Sequence, residues 1–162
     1  MLKQKRLKEV LHYSPKSGLF INLVDRGRGG RAGTFVAQPR PDGYVRIQID
    51  GVQFYAHQLA WLYCYGILPK QLDHKNGKPQ DNRIKNLRVS TQQQNCFNSA
   101  RQKNNRIGFK GVSLHKSSGL YRAQICRDSK KYHLGYFRSP KKAYAAYLKK
   151  SKALFGVFAS VR

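Results

Sequence analysis

The sequence predicts an α+β fold built from two small parts, the second a three-stranded antiparallel sheet plus one helix. Its 162 residues leave room for one ordinary domain or two small ones. Apolar residues alternate at period two in some short stretches and recur at helical spacing in others. The polar segment 103–107 lies between two such regions and reads as a linker.

The elements follow in order. Residues 1–12 read as a short basic helix, with Leu2, Leu7, Val10 and Leu11 as its apolar points. A turn over 13–18 leads to a candidate strand at 19–24. The run Arg26-Gly27-Arg28-Gly29-Gly30-Arg31 reads either as a phosphate-contacting Arg-Gly loop or as a plain surface loop. Asp42-Gly43 opens a hairpin. Val45, Ile47 and Ile49 alternate with Tyr44, Arg46 and Gln48, the period of a half-buried strand. Asp50-Gly51 is a two-residue turn into a return strand at 52–55. An aromatic-rich helix over 56–65 ends at Gly66, with Pro69 beyond it. The polar stretch 71–90 holds a short strand at 72–74, a loop opened by Asn76-Gly77 and a second strand at 87–89. Thr91 can cap a helix over 92–102. Beyond the linker come strands at 110–115, 121–127 and 131–137. Ser139-Pro140 starts a last helix that runs to about Phe155.

Charge narrows the function. The chain carries 32 Lys+Arg against 7 Asp+Glu, a formal net charge of +25. A compact chain this basic repels itself unless a polyanion neutralises it. Nucleic acid is the default, because each neutralised phosphate releases counterions. No long apolar segment, signal peptide or heptad run supports a membrane partner. Cys64, Cys96 and Cys126 are far apart and form no C-x-x-C pair, so they read as thiols of a reducing cytoplasm. Residues 106–162 hold fourteen Lys/Arg and the single acid Asp128. Against that background each carboxylate stands out. Asp42 and Asp50 precede glycines as turn formers, whereas Asp73 sits beside His74.

Hydrolysis of a phosphodiester needs an activated water, stabilisation of the charge that builds on phosphorus, and help for the leaving oxygen. Histidine suits the first task, and one divalent ion suits the other two. Magnesium keeps several waters, so two oxygen-bearing side chains can hold it. Adjacent strand residues face opposite ways, so Asp73 and His74 cooperate only where the strand breaks into the loop. The amide of Asn86 can tie that loop. Asn95 lies one turn into the following helix and shares a face with Asn98 and Gln102. Taken singly, Asn82, Asn86 and Asn95 are ordinary turn and cap residues.

The order Asp73-His74, Asn86-Leu87, Asn95 resembles the HNH nuclease motif in its His-Asn-Asn form. Ala56-His57-Gln58-Leu59-Ala60-Trp61 ahead of it strengthens the likeness to phage and intron-encoded HNH homing endonucleases. The likeness spans roughly residues 10–102. It implies a small ββα-metal (HNH) nuclease domain within 1–102, with its core at 54–102. By it His74 is the general base, Asp73 and Asn95 hold one magnesium or manganese ion, and Asn86 braces the loop. His57 matches a recurrent histidine expected to support the site. Arg83, Lys85 and Arg88 are candidate phosphate contacts or a solvated face.

Residues 108–162 resemble the Apetala, ethylene-response-factor type of DNA-binding domain. The likeness is carried by Lys110-Gly111-Val112, Tyr121-Arg122-Ala123-Gln124-Ile125, Leu134-Gly135-Tyr136-Phe137 and the alanine-rich helix. It implies a sheet face that enters the major groove. Lys110 falls on that family's groove-contacting register, and Ser113, His115, Arg122, Gln124 and His133 occupy nearby strand positions. Several family arginines and a tryptophan are replaced here. The function expected is a site-specific, homing-type DNA endonuclease acting on double-stranded DNA in a bacterial cytoplasm, with no small-molecule cofactor. The rivals are a non-catalytic DNA-binding regulator with an HNH-like shell and an RNA-binding structural protein.

Overall fold

The computed structural model describes residues 2–27, 30–36, 40–98 and 105–159. It is mixed α and β, with small antiparallel sheets. The chain divides into two compact units, Met1–Gln92 and Gln93–Arg162. The sequence reading places the division further on, at 103–107; residues 99–104 lie outside the described residues.

In the first unit, helix α1 (Gln4–Val10) is shorter than its apolar spacing suggests. Leu11 turns extended, and Leu11–Tyr13 becomes strand β1, paired with β2 (Phe20–Asn22). Tertiary packing decides this. Leu11 and Tyr13 bury on one face of a strand and leave His12 exposed. Tyr13 stacks against Phe20 at 4.7 Å between ring centroids. The hairpin of β3 (Arg46–Ile49) and β4 (Val52–Tyr55) turns at Asp50-Gly51, both at positive φ, as a two-residue turn requires. Helix α2 (Ala56–Tyr65) ends at Gly66 in the left-handed conformation. Leu7, Leu11, Tyr13, Ile47, Leu59, Ala60 and Leu87 share one core, which ties α1, both hairpins and α2 to strand β6. Strand β5 (Leu72–His74) pairs with β6 (Leu87–Val89). A single tight helical turn at Ile84–Asn86, absent from the sequence reading, leads into β6.

Arg26, in the Arg-Gly run, is bound within the first unit. Its Nε donates to Asn22 Oδ1 at 2.8 Å and its Nη1 to the Gln48 carbonyl, so it cross-links the two hairpins. Arg28 and Gly29 lie outside the described residues.

In the second unit, helix α3 (Gln92–Asn98) opens the segment, its first residue belonging to the first unit. Gln102, expected on its face, lies outside the described residues. Strands β7 (Val112–His115), β8 (Leu120–Arg127) and β9 (Lys130–Phe137) form one antiparallel sheet in sequential order. Helix α4 (Pro140–Phe155) covers one face of it through Ala143 and Tyr147, against Val112, Ala123 and Ile125. Gly111 is required there: a Cβ would sit 2.2 Å from the Tyr147 ring and 2.8 Å from the Gln124 carbonyl. No helix of the described residues is long and apolar enough to cross a membrane.

Candidate active site and nucleic-acid interface

Strand β5 ends at His74, where the Gly77 amide donates back to the His74 carbonyl at 2.7 Å and closes a turn. Asp73 and His74 are both buried, 8% and 6% exposed. Burial of two ionisable neighbours on a three-residue strand requires partners on both faces. On one face Asp73 lies directly across from Arg88. Its carboxylate accepts from Arg88 Nη2 at 2.5 Å and Nε at 2.8 Å. Arg88, expected as a phosphate contact, is only 14% exposed in its side chain and is committed to Asp73.

On the other face His74 packs into a group of rings. The His57 imidazole lies 5.1 Å away edge-on, and the Tyr44 ring 6.2 Å away. Tyr55 stacks on His57 at 5.3 Å. Nε2 of His74 is 3.1 Å from Asn82 Oδ1. Burial lowers the His74 pKa. The bond to Asn82 and the charges of Asp73 and Asp81 work against that. Burial, aided by His74, pushes His57 down to about 3, so it is a neutral imidazole at any physiological pH.

The loop between β5 and β6 is tied by amides. Asn86 Nδ2 donates to the Asp81 carbonyl at 2.7 Å and to Asn76 Oδ1 at 3.0 Å. Its Oδ1 accepts from the Asn76 backbone at 3.1 Å. Asp81 receives Asn76 Nδ2 and Arg83, whose guanidinium holds its carboxyl down at about 2. Arg83 thus faces Asp81 with its side chain 40% exposed, and Lys85 is exposed. Asn95 is carried by α3 in the second unit and is half-buried. Sequence reasoning missed Tyr44 and the link from Asn82 to His74. Asn82 lies four residues before Asn86, but that spacing in a polar loop is also what turns use.

Asp73 offers hard oxygen donors. Magnesium is held through one or two carboxylates, with waters and substrate phosphates completing its shell, so the residue suits such an ion. Among the described residues no group of three His, Cys, Asp or Glu comes together as a closed zinc site would need.

The sheet of the second unit presents its uncovered face in a defined way. Ser113, Arg122 and Tyr136 are cross-strand neighbours. A bulge lets His133, opposite Gln124, share that face with Tyr136. The rings of His115 and His133 lie 4.9 and 4.8 Å from the Tyr136 ring. Ser113 Oγ and Arg122 Nε are buried with no hydrogen-bond partner among the described residues. Lys110 lies before β7, and its ammonium donates to the Phe97 carbonyl at 2.9 Å.

Comparison with known proteins agrees with the first unit. Residues 54–96 match the family model described as HNH endonuclease. Protein 3.8 of Escherichia phage T7 is 31% identical over 93 residues, which cover 54% of this chain and 74% of that protein. No solved structure matches the chain. The matched segment contains α2, β5, the amide-tied loop and β6, so the chain carries an HNH endonuclease family domain at residues 54–96 and is a relative of that phage protein.

Proposed function

We propose that the protein is a site-specific, homing-type DNA endonuclease with a ββα-metal catalytic core and a separate DNA-reading sheet of the Apetala type. The observation that carries the reading is the buried Asp73-His74 pair at the strand–loop junction, inside the HNH match. His74 is the base. A water oxygen attacks phosphorus as one of its protons passes to the His74 ring. The bond from phosphorus to the 3′ oxygen breaks, and that oxygen takes up a proton to leave a 3′-hydroxyl and a 5′-phosphate. Asp73 would hold a magnesium or manganese ion. Its chemistry there is neutralisation of charge on the phosphate and the leaving oxygen.

The protein's own residues prepare this. Asn86 keeps the loop after His74 closed through three hydrogen bonds. His57 packs edge-on against the base and adds no charge beside it. Arg83 and Lys85 stand near the loop as phosphate contacts. In the second unit Ser113, His115, Arg122, Gln124 and His133 form the reading face.

One observation favours the rival regulator: the Asp73 carboxylate is held by Arg88. Incubation of phage-genome or intron-flanking DNA with the protein, with and without magnesium, separates the two. Magnesium-dependent cutting that vanishes in His74→Ala supports the nuclease. Tight DNA binding with no cutting in magnesium or manganese overturns it.

A further inference from the structure

We propose that Asn82 is a positioning residue for His74: its side-chain oxygen selects the ring tautomer, and the N-terminal hairpin holds Asn82 in place to do so. This rests on the reading of His74 as the base.

A neutral imidazole carries one N–H and one lone pair, and only the lone pair can take a proton from water. The bond made by one ring nitrogen therefore sets what the other can do. Here Nε2 faces Asn82 Oδ1 at 3.1 Å. The amide's orientation follows from its other end. Asn82 Nδ2 lies 3.4 Å from the Gln80 carbonyl, and the flipped amide would set two acceptor oxygens against each other. Oδ1 thus accepts, Nε2 carries the proton, and the lone pair belongs to Nδ1. The edge-on contacts from His57 and Tyr44 restrain the ring plane.

Asn82 is itself 3% exposed and is gripped from the far end of the chain. The Tyr13 hydroxyl donates to the Asn82 carbonyl at 2.7 Å. Burial raises the Tyr13 phenol well above its usual range, so it stays a donor. The Ile84 amide donates to the Pro15 carbonyl at 3.3 Å. Gly18 presses on the same segment: a Cβ there would lie 2.5 Å from the Arg83 nitrogen and 2.7 Å from the Asn82 carbonyl carbon. Three points of one turn thus fix the segment that carries the acceptor. The hairpin lies outside the matched residues 54–96, yet it forms the backing of the base.

The test is to label the full-length protein with ring-¹⁵N histidine and record long-range proton–nitrogen spectra without metal, at a pH where the imidazoles are neutral. His74 in the wild type is expected as the Nε2–H form. Asn82→Asp keeps an acceptor oxygen and should keep that form. Asn82→Leu removes it and should give a mixture. With magnesium, Asn82→Leu should lose about 10–100-fold in kcat, as loss of a partner that orients a site histidine does. KM should barely move, and Asn82→Asp should recover most of the loss. An Nδ1–H form in the wild type overturns the proposal. So does an unchanged tautomer in a folded Asn82→Leu, or an Asn82→Asp as poor as the leucine variant. If the leucine variant fails to fold, the wild-type spectrum and Asn82→Asp still decide. A wrong tautomer in a wild type that cuts DNA overturns this proposal alone. A wild type that cuts nothing overturns the nuclease reading and, with it, any catalytic role for Asn82.

Discussion

The Asp73 carboxylate is held by the guanidinium of Arg88, its direct cross-strand neighbour, through two hydrogen bonds of 2.5 and 2.8 Å. A cation therefore already sits on the side chain proposed to bind one. The Arg88 and Asp73 side chains are 14% and 9% exposed, so each charge relies on the other more than a surface pair would. Arg88→Ala leaves Asp73 buried without that counterion. Loss of one partner from a buried pair costs about 3–5 kcal/mol, and some solvent access places the expected loss at the low end. Thermal denaturation without metal measures it. Magnesium should then raise the melting temperature of Arg88→Ala more than that of the wild type, because the ion meets no competitor at Asp73. Equal shifts would show that Arg88 and the ion do not compete.

Stability should fall on mild acidification because of two imidazoles. Burial lowers the pKa of both His57 and His74, His57 to about 3. Below about pH 6.5 the unfolded chain takes up protons that these folded rings refuse. Their contribution is complete above that pH and is lost as pH falls below it, for His57 down to about 3. One such proton gives a slope of about 1.4 kcal/mol per pH unit. Urea unfolding from pH 7 to pH 4 should show a slope of up to two such protons in the wild type, reduced by one proton in His57→Gln. An unchanged slope would mean that His57 takes up its proton while folded.

Much of this was legible in the sequence, and the losses have physical causes. Asp50-Gly51, Gly66 and the three strands of the second sheet were visible because turn chemistry and period-two burial are local signals. The place of Asp73-His74 at a strand end was readable from Asn76-Gly77 just behind it. Helix α1 was read too long because Leu11 fits a helical stripe as well as a strand face, and only Tyr13 packing on Phe20 decides. The pairing of Asp73 with Arg88 depends on a register spanning a loop of a dozen residues, which no local pattern encodes. Lys110 is expected in the first strand of the second sheet, but it precedes that strand, and its ammonium donates to the Phe97 carbonyl. Asn82 looked like any loop asparagine, since its partners His74 and Tyr13 are distant in sequence.

Gly18→Ala should damage both fold and site. Gly18 has a φ of 78°, and the new Cβ would meet backbone atoms that cannot swing away. Strain at such a position costs on the order of 1–3 kcal/mol, and the contact with Arg83 adds to it. Urea unfolding should show at least that loss. The folded fraction should also cut DNA more slowly per molecule, because the displaced segment carries Asn82. Full activity per folded molecule would separate the hairpin from the base.

The reading face of the second unit can be tested apart from catalysis. Arg122 lies between Ser113 and Tyr136, and its Nε is buried with no partner among the described residues. A phosphate contact and a base contact leave different signatures there. If the guanidinium meets phosphate, Arg122→Ala should weaken binding alike for all sequences and reduce the salt slope by about one unit. If it meets a base edge, the loss should be about 1–3 kcal/mol for the preferred site alone. Tyr136→Ala should follow Arg122→Ala, since Tyr136 holds the rings of His115 and His133 in place on the same face. Titration of preferred and scrambled duplexes at several salt concentrations reads both numbers. Binding unchanged in both variants would remove this face from the DNA interface.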